Sequence, residues 1–505
     1  MSFLGVDIGT TGCKGSVFDE SGKVLTSAYE EYCTSSLRPG WFELDCGEVI
    51  ARCKEVISKC ANSVKDTDCI VSLSVSSQGE AFTLLDKGGE YLCNAMVSFD
   101  TRSQKQVEEF SESFGVERLY SITGHSPHTL FSLFKILWLK ENQPGLIEKA
   151  ERLLCFGDLL GYELTGKAAL GYSLAARTML FDVSELRWSD TILEAIGLEQ
   201  KLLGEPVPAG APVGKISKSA AGELGLSPSV IVAAGGHDQV CGALGAGVTG
   251  AGVAAYATGT VECLTPVFSE LILNETMRES NLATYPYVSE GFYTTVAFNL
   301  TGGSLLRWYR DQFGRSETEE AERKRCDVYE LILGEVPSEP TSLFVQPHFT
   351  STGTPYFDPH PTGAIIGLNL NTTKAEIVKG ILEGVTYEMK LNVELLKRAG
   401  IEINELRATG GGAKSAKWMQ IKSDIMDIPI VSLDVSETGC LGAALLAAKS
   451  YGHNDSVEQM SKEWVRQIRT YEPCGENVKK YRERFGIYSQ IYKTLKPLGN
   501  LINGL

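Results

Sequence analysis

Apolar residues run almost unbroken through Phe3-Leu4-Gly5-Val6-Asp7-Ile8 and stop at Gly9-Thr10-Thr11-Gly12, a tip of small and hydroxylated positions. A second run, from Gly15 through Val17 and Phe18 to Leu25, contains the glycine turn around Gly22. Two strands around a short glycine-rich tip predict a β-hairpin with its loop at Gly9 to Gly12. The pattern returns at Ala254-Ala255-Tyr256-Ala257-Thr258-Gly259-Thr260-Val261-Glu262-Cys263-Leu264, and a third glycine cluster stands at Gly410-Gly411-Gly412-Ala413-Lys414-Ser415. Between them, Val230-Ile231-Val232-Ala233-Ala234 has the continuous apolar character of a buried parallel strand. It ends at Gly235-Gly236-His237-Asp238-Gln239, and Val240 to Gly247 reads as a helix of small residues.

Helical periodicity marks other stretches. Cys46, Cys53 and Cys60 repeat along one face of an amphipathic helix, where they serve as small core residues. The charged run Ser316 to Arg323 predicts a solvated helix. From Val457 onward the sequence reads as helix, with Tyr481, Phe485, Tyr488 and Tyr492 spaced to pack back on the body. At 505 residues the chain exceeds one core, so two large α/β domains are expected, at residues 1–246 and 247–505. The glycines at 242, 245, 247, 250 and 252 fall at the join and can absorb a hinge motion or allow close helix packing.

Charge narrows the partners. A formal net charge of -16, from 47 basic and 63 acidic residues, argues against nucleic acid and anionic membrane. No apolar stretch reaches the roughly 18 residues a membrane span needs, and Met1-Ser2 leads straight into the first strand, so a cytoplasmic location is expected. Thirteen cysteines without a C-x-x-C fit reduced thiols better than disulfides or metal.

The hairpin tips carry the chemistry. Backbone N–H groups of Gly9 to Gly12 can wrap a phosphate, Lys14 adds charge, and Asp7 stands beside them, an arrangement suited to a Mg-nucleotide. Three glycine–hydroxyl turns then read as two related halves closing on one nucleotide. Asp238 follows a strand, and open α/β sheets bind ligands beyond the carboxyl ends of their strands. A carboxylate there can take the proton of an attacking hydroxyl, and it can also cap the helix it begins. Two motifs mislead. Gly161-Tyr162-Glu163-Leu164-Thr165-Gly166-Lys167-Ala168 nearly spells a P-loop but lacks the final hydroxyl and follows a helical stretch, and Gly245 to Gly250 matches G-x-G-x-x-G without a strand leading into it. His125 and His128 lack a third ligand in sequence and make a weak metal signal.

Taken together, Asp7-Ile8-Gly9-Thr10-Thr11, Phe134-Lys135-Ile136-Leu137-Trp138-Leu139, Gly235-Gly236-His237-Asp238, Thr258-Gly259-Thr260, Gly410 to Gln420 and Glu437-Thr438-Gly439-Cys440-Leu441-Gly442-Ala443-Ala444 resemble the FGGY-family carbohydrate kinases. These belong to the sugar kinase, Hsp70 and actin superfamily. The resemblance implies two ribonuclease H-like domains with ATP and sugar meeting in the cleft between them. It implies that Asp7 lies near Mg²⁺, in contact through water, and that Thr10, Thr11 and Lys14 form the first phosphate loop. Thr258, Gly259 and Thr260 form the second, Gly302 lies near the nucleotide, and Gly411, Gly412, Ala413 and Ser415 fall beside the adenosine. Asp238 takes the place of the general base.

Substrate choice falls on Gln78, Gly79 and Glu80, with Gln239, Asp100 and Arg102. Xylulokinases typically carry Gln-Met-His-Gly where this chain has Gln78-Gly79-Glu80-Ala81. Glycerol kinases place Arg-Glu there, so Glu80 matches and Gly79 lacks the guanidinium. A carboxylate accepts well from adjacent hydroxyls, which favours a ketose or polyol of about five carbons, xylulose-like, over glycerol or gluconate. The expected partner is thus a small sugar, with no nucleic acid and no membrane; a homodimer is compatible. The alternative of another class is a chaperone-like nucleotide switch, for whose partner-binding region little chain is left.

Overall fold

The computed structural model describes residues 1–435, 437–453 and 456–503. Two mixed sheets organise them. The first has the strand order Pro212–Lys215, Ile231–His237, Ile70–Ser77, Ser2–Ile8, Gly12–Asp19, Val24–Glu31. Ser2–Ile8 runs parallel to Ile70–Ser77 and antiparallel to Gly12–Asp19, with Ile8 opposite Cys13, so Gly9 to Gly12 form the hairpin tip that the sequence predicts. Ile231–His237 is parallel to Ile70–Ser77 and almost wholly buried, as its unbroken apolar run requires.

The second sheet repeats the device. Its order is Tyr285–Pro286, Tyr293–Thr294, Glu262–Phe268, Val253–Thr258, Glu405–Thr409, Ile430–Leu433, Gln467–Tyr471, with Ala297–Asn299 also paired to Glu262–Phe268. Val253–Thr258 is antiparallel to Glu262–Phe268 and parallel to Glu405–Thr409, so Thr258 to Glu262 turn at a second hairpin tip. Gln467–Tyr471 corrects the expectation of unbroken helix after Val457. Its alternation of polar with β-branched and aromatic residues favours an edge strand, which pairs with Ile430–Leu433.

Cys46, Cys53 and Cys60 are buried on the helix Cys46–Val64, which covers one face of the first sheet. The opposite face is covered by the helix Thr438–Tyr451, which comes from the other end of the chain. Its approach depends on missing side chains. A Cβ on Gly5 would stand 1.8 Å from the Cys440 carbonyl oxygen, one on Gly442 1.9 Å from that of Cys241, and one on Gly245 2.0 Å from that of Thr438. Of the glycines expected at a hinge, Gly245 is therefore fixed by contact between the helices Asp238–Gly245 and Thr438–Tyr451, whereas Gly247 and Gly252 turn the chain at φ 82° and 86°. The C-terminal helix Gly475–Asn503 buries Tyr481, Tyr488 and Tyr492, and the Tyr488 hydroxyl donates to Glu388 on Lys374–Arg398 at 2.7 Å. All thirteen cysteines are unbridged, and among the described residues no helix is long and apolar enough to cross a membrane.

Candidate active site

The two hairpin tips and the third glycine cluster are each held by local hydrogen bonds. In the first tip, the Gly9 N–H donates to the Gly12 carbonyl at 3.0 Å, while the Gly9 carbonyl accepts from Gln78 Nε2 at 2.9 Å and from the Tyr32 hydroxyl at 2.5 Å. Gln78 is thus a brace for Thr10 and Thr11. Lys14 leaves the next strand and pairs with Glu437 at 2.9 Å, which draws the start of the helix Thr438–Tyr451 to the tip. Gly439 has no side chain to interfere: a Cβ there would lie 2.7 Å from Asp7 Oδ2. In the second tip the Gly302 and Gly303 N–H groups donate to the carbonyls of Thr260 and Gly259 at 3.0 and 2.8 Å. Gly302 therefore supports the loop from behind. Gly410, at φ 87°, and Gly412 press on Thr258, whose hydroxyl donates to the Thr409 carbonyl at 2.8 Å. Gly411 faces open space, Ala413 packs at the core edge, and Ser415 caps Ala416–Met426 by accepting the Trp418 N–H at 3.2 Å.

Asp238 opens the helix Asp238–Gly245 at the carboxyl end of its strand. Its Oδ1 accepts the Gln239 N–H at 2.6 Å and lies 3.2 Å from His237 Nε2; His237 Nδ1 is 3.2 Å from the Tyr285 hydroxyl. Burial, then the charges of Asp7 and Glu80, push the Asp238 carboxyl up to about 7. Asp7 accepts a hydrogen bond from the Ser76 hydroxyl at 2.6 Å, and burial raises its carboxyl too. Asp7, a carboxylate beside the first hairpin tip and braced by a hydroxyl, is a donor that fits Mg²⁺, which binds through one or two carboxylates, water and phosphate.

Beside Asp238 stands a group of buried polar side chains that the sequence reveals only in part. Glu80 is buried and its Oε1 accepts from Arg177 Nε at 2.6 Å, with a second guanidinium contact beside it. Arg177 ends the short helix Tyr172–Arg177, 4.9 Å from the Phe131 ring and 5.8 Å from that of Tyr285. A Cβ on Gly79 would meet the Arg177 Cβ at 3.2 Å, so the guanidinium that Gly79 lacks arrives from another element through the room Gly79 leaves. Three histidines surround this pair and burial holds each neutral, His125 at about 3, His128 at about 4 and His237 well below its ordinary value. His125 and His128 are thus neutral hydrogen-bonding groups, with His125 Nε2 buried and unpartnered. The signal for Arg177 was a single charge in the apolar run Leu174-Ala175-Ala176-Arg177-Thr178-Met179-Leu180-Phe181.

Asp100 and Arg102, expected to read hydroxyls, are occupied with one another. Arg102 donates to Asp100 at 2.7 to 3.0 Å and to Glu43 at 2.6 Å, Asp100 also accepts the Phe42 N–H at 2.7 Å, and the guanidinium lies 4.1 Å from the Trp41 ring. The pair is buried and engaged with itself and with Glu43, which fixes its position. The near-P-loop is the end of the helix Phe156–Thr165, capped by Gly166 in the left-handed region at φ 73°.

Two hairpin-bearing sheets and a buried carboxylate at the carboxyl end of a parallel strand fit a nucleotide-dependent phosphotransferase of the actin and Hsp70-like two-domain fold. The chain belongs to the FGGY family of carbohydrate kinases: the family's N-terminal domain matches residues 2–245 and its C-terminal domain residues 254–451. It is similar to the xylulose kinase of Staphylococcus epidermidis, 30% identical over 499 residues, or 98% of this chain and 97% of that one. It is also similar to the glycerol kinase of Thermococcus onnurineus, 32% identical over 478 residues and 91% of each chain. Among solved structures, a ligand bound xylulose kinase from Lactobacillus acidophilus shares the fold, with a TM-score of 0.90 over 98% of each chain at 21% identity. The protein is an ATP-dependent sugar phosphotransferase.

Proposed function

We propose that the substrate is a ketopentose of the xylulose type, phosphorylated by direct in-line transfer from ATP with Asp238 as general base. The observation that carries this reading is the Asp238 carboxylate at the carboxyl end of its strand, 3.2 Å from His237, with its pKa pushed to about 7, where a base is best matched to neutral pH. In this reading residues 1–246 and 247–505 are the two domains. Thr10, Thr11 and Lys14 grip the phosphates from one side, Thr258, Gly259 and Thr260 from the other, with Gly302 behind and Gly411, Gly412, Ala413 and Ser415 framing the adenosine. Asp7 would hold Mg²⁺ through water, and the ion would neutralise phosphate charge. His237 orients the Asp238 carboxylate, and Glu80 and Arg177 read adjacent hydroxyls as acceptor and donor.

Xylulose kinase is the name of several relatives at 26 to 30% identity over nearly the whole chain, which supports the ketopentose. A second reading, glycerol or another polyol, is favoured by the Glu80–Arg177 pair, which restores the Arg-Glu chemistry of glycerol kinases with a guanidinium from elsewhere in the chain. Gluconate fits less well, because Arg177 is already engaged by Glu80 and Glu80 would repel a carboxylate.

Purified protein with MgATP and a panel of D-xylulose, D-ribulose, glycerol and gluconate tests the substrate. The highest kcat/KM is expected for a ketopentose, and a preference of about tenfold for glycerol or gluconate would overturn that choice. Glu80→Gln is expected to raise sugar KM by about tenfold or more, as loss of a charge-assisted hydrogen bond does, with ATP KM unchanged. An unchanged sugar KM and substrate ranking would reduce Glu80 to a partner for Arg177.

A further inference from the structure

We infer that Phe357, supplied by the C-terminal half, is the end wall of the sugar chamber and sets the length of sugar accepted; this rests on the ketopentose reading above. The ring of Phe357 lies edge-on to His128, with centroids 4.9 Å apart at 61°, and 5.8 Å from the ring of Phe298. His128 belongs to the N-terminal half, and its carbonyl accepts the N–H of Phe131 at 3.2 Å, whose ring lies 4.9 Å from the Arg177 guanidinium. Arg177 also lies 5.8 Å from the Tyr285 ring, and the Tyr285 hydroxyl is 3.2 Å from His237, itself 3.2 Å from Asp238, so contacts run unbroken from Asp238, where the reacting hydroxyl must sit, to the His128–Phe357 pair. On the C-terminal side Cys263 stands opposite Phe298 across two strands, and the Phe298 ring leads on to Phe357. The chamber thus has polar groups on one side and aromatic rings on the other, the combination that reads hydroxyls and packs against the C–H groups of a sugar.

The backbone of Phe357 marks it as placed rather than left over. Its φ is 47°, in the left-handed region that a bulky residue adopts only when its surroundings impose it. Those surroundings are explicit. The Phe357 N–H donates to the Gly353 carbonyl at 3.0 Å, and Thr352 and Asp358 bond to each other at 2.9 and 2.7 Å. Thr354 Oγ1 accepts the Phe298 N–H at 2.9 Å, the Thr354 carbonyl accepts from Asn392 at 3.1 Å, and Asp358 accepts from the Tyr492 hydroxyl at 2.7 Å. The loop is pinned to a strand, the helix Lys374–Arg398 and the C-terminal helix, while Phe357 itself stays half-buried and points across the cleft at His128. A ring so held is a fixed boundary that a longer sugar would have to meet.

The test compares Phe357→Ala, Phe357→Leu and Phe357→Trp with the parent on glycerol, D-xylulose, D-fructose and D-sedoheptulose. In Phe357→Ala, KM for D-xylulose is expected to rise about tenfold, as loss of one aromatic contact does. ATP KM should stay within about twofold, and kcat/KM for the six- and seven-carbon ketoses relative to D-xylulose should rise about tenfold. Phe357→Leu should stay close to the parent, and Phe357→Trp should shift preference toward glycerol. Unchanged D-xylulose KM and unchanged length preference in the folded Ala and Trp variants would overturn the inference. A parent enzyme that phosphorylates no ketopentose would instead overturn the reading beneath it, and that is seen before any variant is made.

Discussion

Asp238→Asn is expected to lower turnover by about 10²-fold or more while leaving ATP KM within about twofold, since a positioned general base contributes about 10² to 10⁴. The amide keeps the shape of the side chain, and its oxygen can still accept the Gln239 N–H that now reaches Oδ1 at 2.6 Å. What it loses is the ability to take the proton from the attacking hydroxyl. ATP binding should persist because both hairpin tips and Asp7 stay in place. The pH dependence follows with a definite sign. A carboxyl near 7 must be ionised to act, so kcat/KM of the parent should fall about tenfold per unit as pH drops below that value and level off above it. That limb should vanish in Asp238→Asn. Near-parental turnover, or an unchanged acid limb in the variant, would remove Asp238 from the base position.

Lys422→Met is expected to cost about 3–5 kcal/mol of stability and to lower the unfolding temperature clearly, because it strands a buried carboxylate. Lys422 and Glu262 are both fully buried, with Nζ 2.6 and 2.7 Å from the two carboxylate oxygens and 2.8 Å from the Tyr256 hydroxyl, which itself donates to Glu262 at 2.5 Å. Glu262 lies opposite Thr258 at the base of the second hairpin tip, and Lys422 lies on Ala416–Met426, the helix that follows the third glycine cluster. The cluster therefore ties the second hairpin tip to the third glycine cluster, and if these hold the nucleotide as proposed, the variant should also raise ATP KM. A Glu262→Gln/Lys422→Met double variant removes both charges and should recover much of the loss. Unfolding of Lys422→Met within about 0.5 kcal/mol of the parent, the range of an ordinary surface change, would show that the pair carries no such weight.

What could be read in the sequence was local. The hairpin tips at Gly9 to Gly12 and Thr258 to Thr260 announce themselves by apolar runs broken by glycine and hydroxyl residues, and Asp238 by its place after a buried strand. The heptad-spaced cysteines and the C-terminal tyrosines declare their helices in the same way. Pairings across long stretches of chain left no such mark. Glu80 and Arg177 are 97 residues apart and Lys422 and Glu262 are 160 apart, and nothing in either local sequence names the partner. His125 and His128 drew attention as weak metal candidates, whereas their surroundings make them neutral members of the chamber; only the fold brings Tyr285 and Arg177 to them. The helix Thr438–Tyr451 also reads as an ordinary element of the second half until the closely packed glycines at positions 5, 245 and 442 show that it lies against the first sheet. Where the sequence reading of Gln467–Tyr471 failed, a helical trend on both sides masked five residues whose alternation suits an edge strand.

The proposed phosphate grip, shared between two halves, makes a direct demand on the enzyme, because a site completed by closure on sugar should waste little ATP in its absence. The decisive measurement is ADP formation by the purified protein with and without D-xylulose, alongside the amount of sugar phosphate made. One sugar phosphate per ADP, with ATP consumption falling to a small fraction when sugar is omitted, is the predicted result. ATP consumed equally fast without sugar across the whole substrate panel, with no sugar phosphate formed, would contradict the account and point to a nucleotide-driven switch.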